Sequence, residues 1–227
     1  MHLGFIFDWD GVVVDSEALH LKSWKLLADS ESLAFSPDQF KTSFGMRNER
    51  VISELLQWTQ DPKQIERLSL KKESHFRALI KKKGISILPG VEPFLQTLHK
   101  HKVPCAVGSS TPRLNITSAL EILGIEHYFK AIVTAEDVRI GKPNPEVFLL
   151  AAHRLNRVAS YCVVFEDAPV GIEAGIAAGM TVIGVTTTHP AKALKGAKKI
   201  VSRLDELDFE QIEDLVCNDI LEWNPAS

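Results

Sequence analysis

The apolar run Phe5-Ile6-Phe7 breaks off into Asp8-Trp9-Asp10-Gly11. A short apolar run closed by acids and a glycine predicts a buried strand with a loop at its carboxyl end. From Ser16 to about Leu88 the pattern turns helical. Ala18, Leu19, Trp24, Leu26 and Leu27 fall roughly on one face, and Val51, Ile52, Leu55, Leu56 and Trp58 repeat helical spacing. Ser36-Pro37-Asp38-Gln39 has the form of a capping box with proline at the first helical position, and Asp61-Pro62-Lys63-Gln64 repeats it. Lys81-Lys82-Lys83-Gly84 closes the last helix with basic residues and a C-terminal glycine. The stretch predicts about four helices in a small bundle.

After Leu88-Pro89-Gly90, strand and helix patterns alternate. Strands are expected over 103–107, 131–133, 161–165, 181–185 and, at an edge, 199–201. Helices are expected over 91–100, from an N-cap at Thr111 to 123, after the cap Asn144-Pro145-Glu146, over 168–179 and over 209–221. Such alternation predicts an α/β fold, a parallel sheet covered by helices on both faces. Residues 1–15 and 89–227 make the core, and 16–88 an inserted all-helical cap, placed at the mouth of the sheet where a lid belongs.

Composition narrows the function. The 227 residues suffice for one large α/β domain or two modest ones, and a net charge of −3 argues against nucleic-acid or membrane-surface partners. Cys105, Cys162 and Cys217 are too far apart for a disulfide framework or a metal knuckle, and are expected as small buried hydrophobes in a reducing cytosol. The most apolar late stretch, 170–185, carries Glu173 and four glycines, which suits a buried helix and strand better than a membrane span. A soluble, cytoplasmic, monomeric protein acting on small molecules is expected.

Asp8 and Asp10 are two residues apart at a strand end and so face the same way, an arrangement that repels unless a cation or a proton relieves it. Ser109, Ser110 and Thr111 follow the second core strand, where backbone N–H groups at a helix start suit an anion. Lys142 stands in Gly141-Lys142-Pro143, and Glu166-Asp167 closes a further buried strand. Together these acids describe an oxygen site for a hard cation, Mg²⁺.

Asp-x-Asp-Gly-Val, then Ser/Thr after the second core strand, then Lys-Pro, then Glu-Asp, resembles the haloacid dehalogenase-like superfamily of phosphotransferases. Within it the chain looks like the branch with a helical cap, the β-phosphoglucomutase-like and sugar-phosphate phosphatase group. The resemblance implies a Rossmann-like core, one Mg²⁺ and an aspartyl-phosphate intermediate. It makes Asp8 the nucleophile and Asp10 the acid/base residue, whose backbone carbonyl also ligates the metal. Asp8 and Asp167 would hold the ion with Glu166 close by, Ser109 would hold phosphoryl oxygens, and Lys142 would balance the carboxylates. In the cap, Asp15 and Ser16 lie at a hinge, and His20 matches a mutase histidine linked to the acid/base residue. Arg47 comes one position before the mutases' phosphate-binding arginine, whose place Asn48 takes, and Arg77 corresponds to a mutase cap lysine. Ser16, His20, Arg47, Asn48, Arg77, Ser110 and Thr111 form the expected substrate-binding set. Lys71-Lys72 and Lys81-Lys82-Lys83 are expected on solvated helix faces. Hydrolysis of a small phosphorylated metabolite, a sugar phosphate, is the expected reaction. The alternatives are a β-phosphoglucomutase-type isomerisation and a phospho-aspartate signalling switch.

Overall fold

The computed structural model describes residues 3–43 and 45–222. The apolar run at the start forms strand β1 (Gly4–Phe7), buried along its whole length. Val14–Asp15 forms a two-residue strand, β2. The chain then runs through α1 (Glu17–Glu31), α2 (Pro37–Ser43), α3 (Asn48–Arg50) and α4 (Pro62–Lys83), and returns as β3 (Ser86–Ile87). Alternation follows: α5 (Val91–Lys100), β4 (Cys105–Gly108), α6 (Arg113–Leu123), β5 (Phe129–Val133), α7 (Glu146–Arg154), β6 (Cys162–Glu166), α8 (Pro169–Ala177), β7 (Thr181–Val185), β8 (Lys199–Val201) and α9 (Phe209–Glu222).

The six-stranded sheet has the order β5-β4-β1-β6-β7-β8, with every pairing parallel. From β1 the chain builds outward through β4 and β5, then crosses to β6 on the other side. The crevice beyond the carboxyl ends of β1, β4 and β6 is therefore a topological switch point, where open α/β sheets bind ligands.

Side chains alternate across the sheet. Phe5, Phe7, Val163 and Phe165 pack on one face with Phe94 of α5, Leu120 of α6 and Ile212 of α9. Ile6, Ala106 and Val164 pack on the other with Phe148 of α7 and Ile172 of α8. Phe7 and Phe165 stack at 4.6 Å. Burying each such ring contributes about 1.5–3 kcal/mol, which fixes the strands that carry the acids.

The inserted helices have an apolar cluster of their own, centred on Trp24, Leu27, Phe40, Val51, Ile52 and Leu68. Both sequence-predicted caps form. Ser36 and Gln39 exchange backbone-to-side-chain bonds of 3.0 and 3.3 Å, and the Asp61 side chain accepts from Lys63 N–H at 3.1 Å.

Two local expectations change. The connections between core and insertion form a ribbon, with β2 and β3 antiparallel and Val14 opposite Ile87. Thr111 does not cap α6: Pro112 takes the N-cap position and the threonine hydroxyl turns to Asp10. Among the described residues no helix is long and apolar enough to cross a membrane.

Candidate active site

Asp8 directly follows β1, its N–H donating to Phe165 O at 3.0 Å, and its side chain is buried in the crevice. Gly11, at φ +81°, turns the chain where a Cβ would overlap the Asp167 carboxylate. Only glycine combines that backbone with so close an approach. Lys142, in the loop between β5 and α7, sets Nζ 2.7 Å from both Asp8 Oδ1 and Glu166 Oε1. Glu166 uses its other oxygen to accept the N–H groups of Asp167 and Ala168, at 2.9 and 3.0 Å, just before α8. Its carboxylate fits because position 171 has no side chain: a Cβ there would collide with it.

Asp8, Glu166 and Asp167 are all buried, and each brings an oxygen within 4.8 Å of the others. Burial raises the Asp8 carboxyl to about 7 against the pull of Lys142, with Glu166 adding repulsion. Asp167 is likewise pushed well above the usual range, by burial and then by Glu166 and Asp8. Asp167 Oδ2 accepts from the Thr188 hydroxyl, while Oδ1 is buried with no hydrogen-bond partner. An orphaned carboxylate oxygen among crowded acids fits a hard divalent cation.

Asp10 is held differently. Oδ1 accepts from Ser16 Oγ at 2.5 Å and faces His20 Nε2 at 3.0 Å, and Oδ2 accepts from Thr111. Burial would raise this carboxyl, but the His20 ring beside it, then the bonds of Ser16 and Thr111, lower it to about 2. His20 Nδ1 lies 2.8 Å from Lys72 Nζ. A lysine ammonium only donates, so Nδ1 accepts and the ring hydrogen sits on Nε2, toward Asp10. The chain of contacts continues from Lys72 to Glu73 at 2.9 Å, and Glu73 also accepts from Asn48 at 2.7 Å and from Asn115. Arg77 completes it, 2.9 Å from Asn115 Oδ1. Asp10 is thereby wired across the cleft into α4.

The structure thus gathers Asp8, Asp10, Ser109, Ser110, Thr111, His20 and Asn48 around one cleft, with Lys142, Glu166 and Asp167 packed behind Asp8. Ser16 lies beneath the cleft, pinning Asp10. Three expectations need correction. Arg47 is turned out of the cleft: Nη2 donates to the carbonyls of Ala135 and Val138, at 2.6 and 3.0 Å. Arg77 is outside it too, engaged with Asn115. Lys72 is not on a solvated face: it is 2% exposed and lines the cleft. Sequence reasoning also missed Glu73, Asn115 and Thr188. For Lys72 a signal existed, since Leu68 and Phe76 lie four residues to either side and put it on the buried stripe of α4. Asn115 and Thr188 carried none.

The family model of haloacid dehalogenase-like hydrolases matches residues 5–185. The chloroplastic 5-amino-6-(5-phospho-D-ribitylamino)uracil phosphatase of Arabidopsis thaliana is 37% identical over 226 residues, 98% of this chain. This chain spans 60% of that enzyme's length. A fructose-1-phosphate phosphatase of Escherichia coli is 32% identical over 189 residues, 81% of this chain and 96% of its own. The crystal structure of a β-phosphoglucomutase from Clostridium difficile matches with a TM-score of 0.85 at 28% identity, over 97% of this chain and 100% of that one. The match to the family model runs from β1 to the end of β7 and so encloses both acid pairs, the serine after β4 and the lysine between them. This chain belongs to the haloacid dehalogenase-like hydrolases.

Proposed function

We propose that this protein is a phosphatase that hydrolyses a small phosphorylated metabolite, a sugar or polyol phosphate, through an aspartyl phosphate on Asp8. The observation that carries this reading is the geometry of two carboxylates in one cleft, Asp8 set against Lys142 and the acids Glu166 and Asp167, and Asp10 held apart from them in its own hydrogen-bond network. Asp8 faces Lys142 through Oδ1, and Asp10 is tied to three donors beside it. Two carboxylates with separate partners in one cleft can divide nucleophilic from acid–base work.

Asp8 attacks phosphorus, forming the Asp8–phosphorus bond as the ester oxygen departs. Asp10, which its three donors hold ionised in the resting site, takes up a proton from solvent as substrate enters and passes it to that oxygen; it then takes one from the water that cleaves the acyl phosphate, returning Asp8 and releasing inorganic phosphate. His20, presenting Nε2–H and backed by Lys72, orients Asp10 for both transfers. Ser109 and Ser110 line the cleft where phosphoryl oxygens would lie, and Lys142 balances the charge that collects around Asp8. Mg²⁺, held by Asp8 and Asp167 with Glu166 beside them and by the Asp10 carbonyl that the resemblance adds, would neutralise phosphoryl charge and let an anionic nucleophile approach.

Residues 16–88 serve as the cap that closes over this site and 1–15 with 89–227 as the core. The named substrates of the two phosphatase relatives both join a polyhydroxylated carbon chain to a single phosphate, which supports the substrate class. A mutase needs a cationic hold for a second phosphate, and Arg47, turned onto core carbonyls, counts against that. A signalling switch has no use for an acid/base residue beside the nucleophile under a roof. Free thiols accord with a reducing compartment, the cytoplasm.

The test is phosphate release from a panel of phosphorylated metabolites with Mg²⁺, alongside acid-quenched protein assayed for phosphate on Asp8. Asp8→Asn should abolish both; turnover surviving in that variant refutes the mechanism.

A further inference from the structure

Glu73 is the one carboxylate of α4 that lines the cleft, it is 4% exposed, and nothing in the reaction above uses it. Oε1 accepts from Asn48 and Lys72, at 2.7 and 2.9 Å, and Oε2 accepts from Asn115. Arg77 occupies Asn115 Oδ1, which leaves the amide NH₂ to face Glu73. An ionised carboxylate offers about four acceptor positions, so three are filled and one remains, on Oε2. Among the described residues lining the cleft, Lys72 is the only lysine or arginine, and Glu73 already pairs with it.

We infer that Glu73 determines specificity, admitting phosphate monoesters whose far end bears hydroxyl or amine donors and rejecting those that carry a second phosphate or a carboxylate. A donor satisfies the remaining position on Oε2. A second anion brings only acceptors, meets a fixed like charge, and finds no unpaired cation to offset it. Burial works against the charged form of Glu73, yet the Lys72 ammonium beside it and the bond from the Asn48 amide hold its carboxyl below the usual range, so the charge is present at neutral pH.

The inference rests on the phosphatase reading, and one experiment separates the two. The 227-residue chain with Mg²⁺ is given ribitol 5-phosphate and 5-phosphoribonate, which differ in one terminal group (CH₂OH against COO⁻), and p-nitrophenyl phosphate as a reference. Wild type should favour the neutral ester by about tenfold or more in kcat/KM, equivalent to about 1.4 kcal/mol. Glu73→Gln should bring that ratio close to one, and Glu73→Asp, which keeps the charge, should preserve it. A role in folding alone would lower both rates and leave the ratio. A wild type that releases p-nitrophenol yet favours neither ester, or favours the anionic one, overturns the inference without any variant. An unaltered ratio in Glu73→Gln also overturns it. No release from any ester defeats the phosphatase reading as well.

Discussion

Replacing Lys142 with methionine removes the ammonium group from the middle of the site while keeping most of the stem's volume. Its side chain is 2% exposed, and those of its partners Asp8 and Glu166 are 6% and 1%. The 0.2–1 kcal/mol typical of exposed pairs, a range of about fivefold, does not apply here. Breaking a buried pair costs about 3–5 kcal/mol, because the abandoned acids stay buried. Lys142 Nζ also lies 4.8 Å over the Phe148 ring, an attraction lost in the same step. Against this, Asp8, already raised to about 7, can take up a proton and relieve part of the repulsion. A loss near the lower end, about 3 kcal/mol, is therefore expected at pH 7.5 without divalent ions. With a urea dependence of about 2–3 kcal/mol per M, the midpoint should fall by about 1–1.5 M. Equilibrium urea unfolding followed by far-UV circular dichroism in EDTA measures it. A fall below about 0.3 M, or under about 1 kcal/mol, would refute the idea that the acids depend on this cation. Phosphate release should drop by about 100-fold or more in the same variant, since a fixed charge aimed at the reacting group is gone.

Gly171→Ala should lower phosphate release sharply although alanine is the better helix former, because its Cβ takes the place of the Glu166 carboxylate; steady-state kinetics beside a thermal melt will show the loss, and an unimpaired kcat would contradict it. Asp137 is drawn down to about 2: burial raises it, but bonds from Arg154 and Thr134 and the charge of Arg113 outweigh that. A depressed acid stabilises above its unfolded value of 3.8 and loses that contribution as pH falls through about 2. The stability gap between wild type and Asp137→Asn should accordingly be full at pH 7 and close between about pH 4 and pH 2, read from urea midpoints at each pH.

The sheet and its acids were legible in the sequence for one reason: charges at the ends of buried strands are costly, so Asp8, Asp10, Glu166 and Asp167 stand out against their apolar neighbours. The roof was less legible. Lys72 sits in a basic run, and such runs usually face water, so composition outweighed a helical spacing that put it inside. Arg47 was placed by its offset within a loop, whereas its direction depends on two carbonyls, of Ala135 and Val138, about ninety residues away. The strands β2 and β3 have two residues each, too few for any alternation to register. Thr111 looked like a helix cap because threonine before proline commonly is one; only the meeting of β1 and β4 shows that its hydroxyl serves Asp10.

The separate aromatic nest of the insertion has a spectroscopic consequence. Trp24 and Trp58 meet edge to face at 5.9 Å, with the Lys72 ammonium 5.4 Å from the Trp24 ring, while Trp9 lies apart in the core of the sheet. In a variant with Trp9 and Trp223 replaced by phenylalanine, indole emission will follow the helical insertion and backbone ellipticity the whole chain. Where the two signals part during unfolding, the roof has loosened before the floor, and fluorescence alone will time that event.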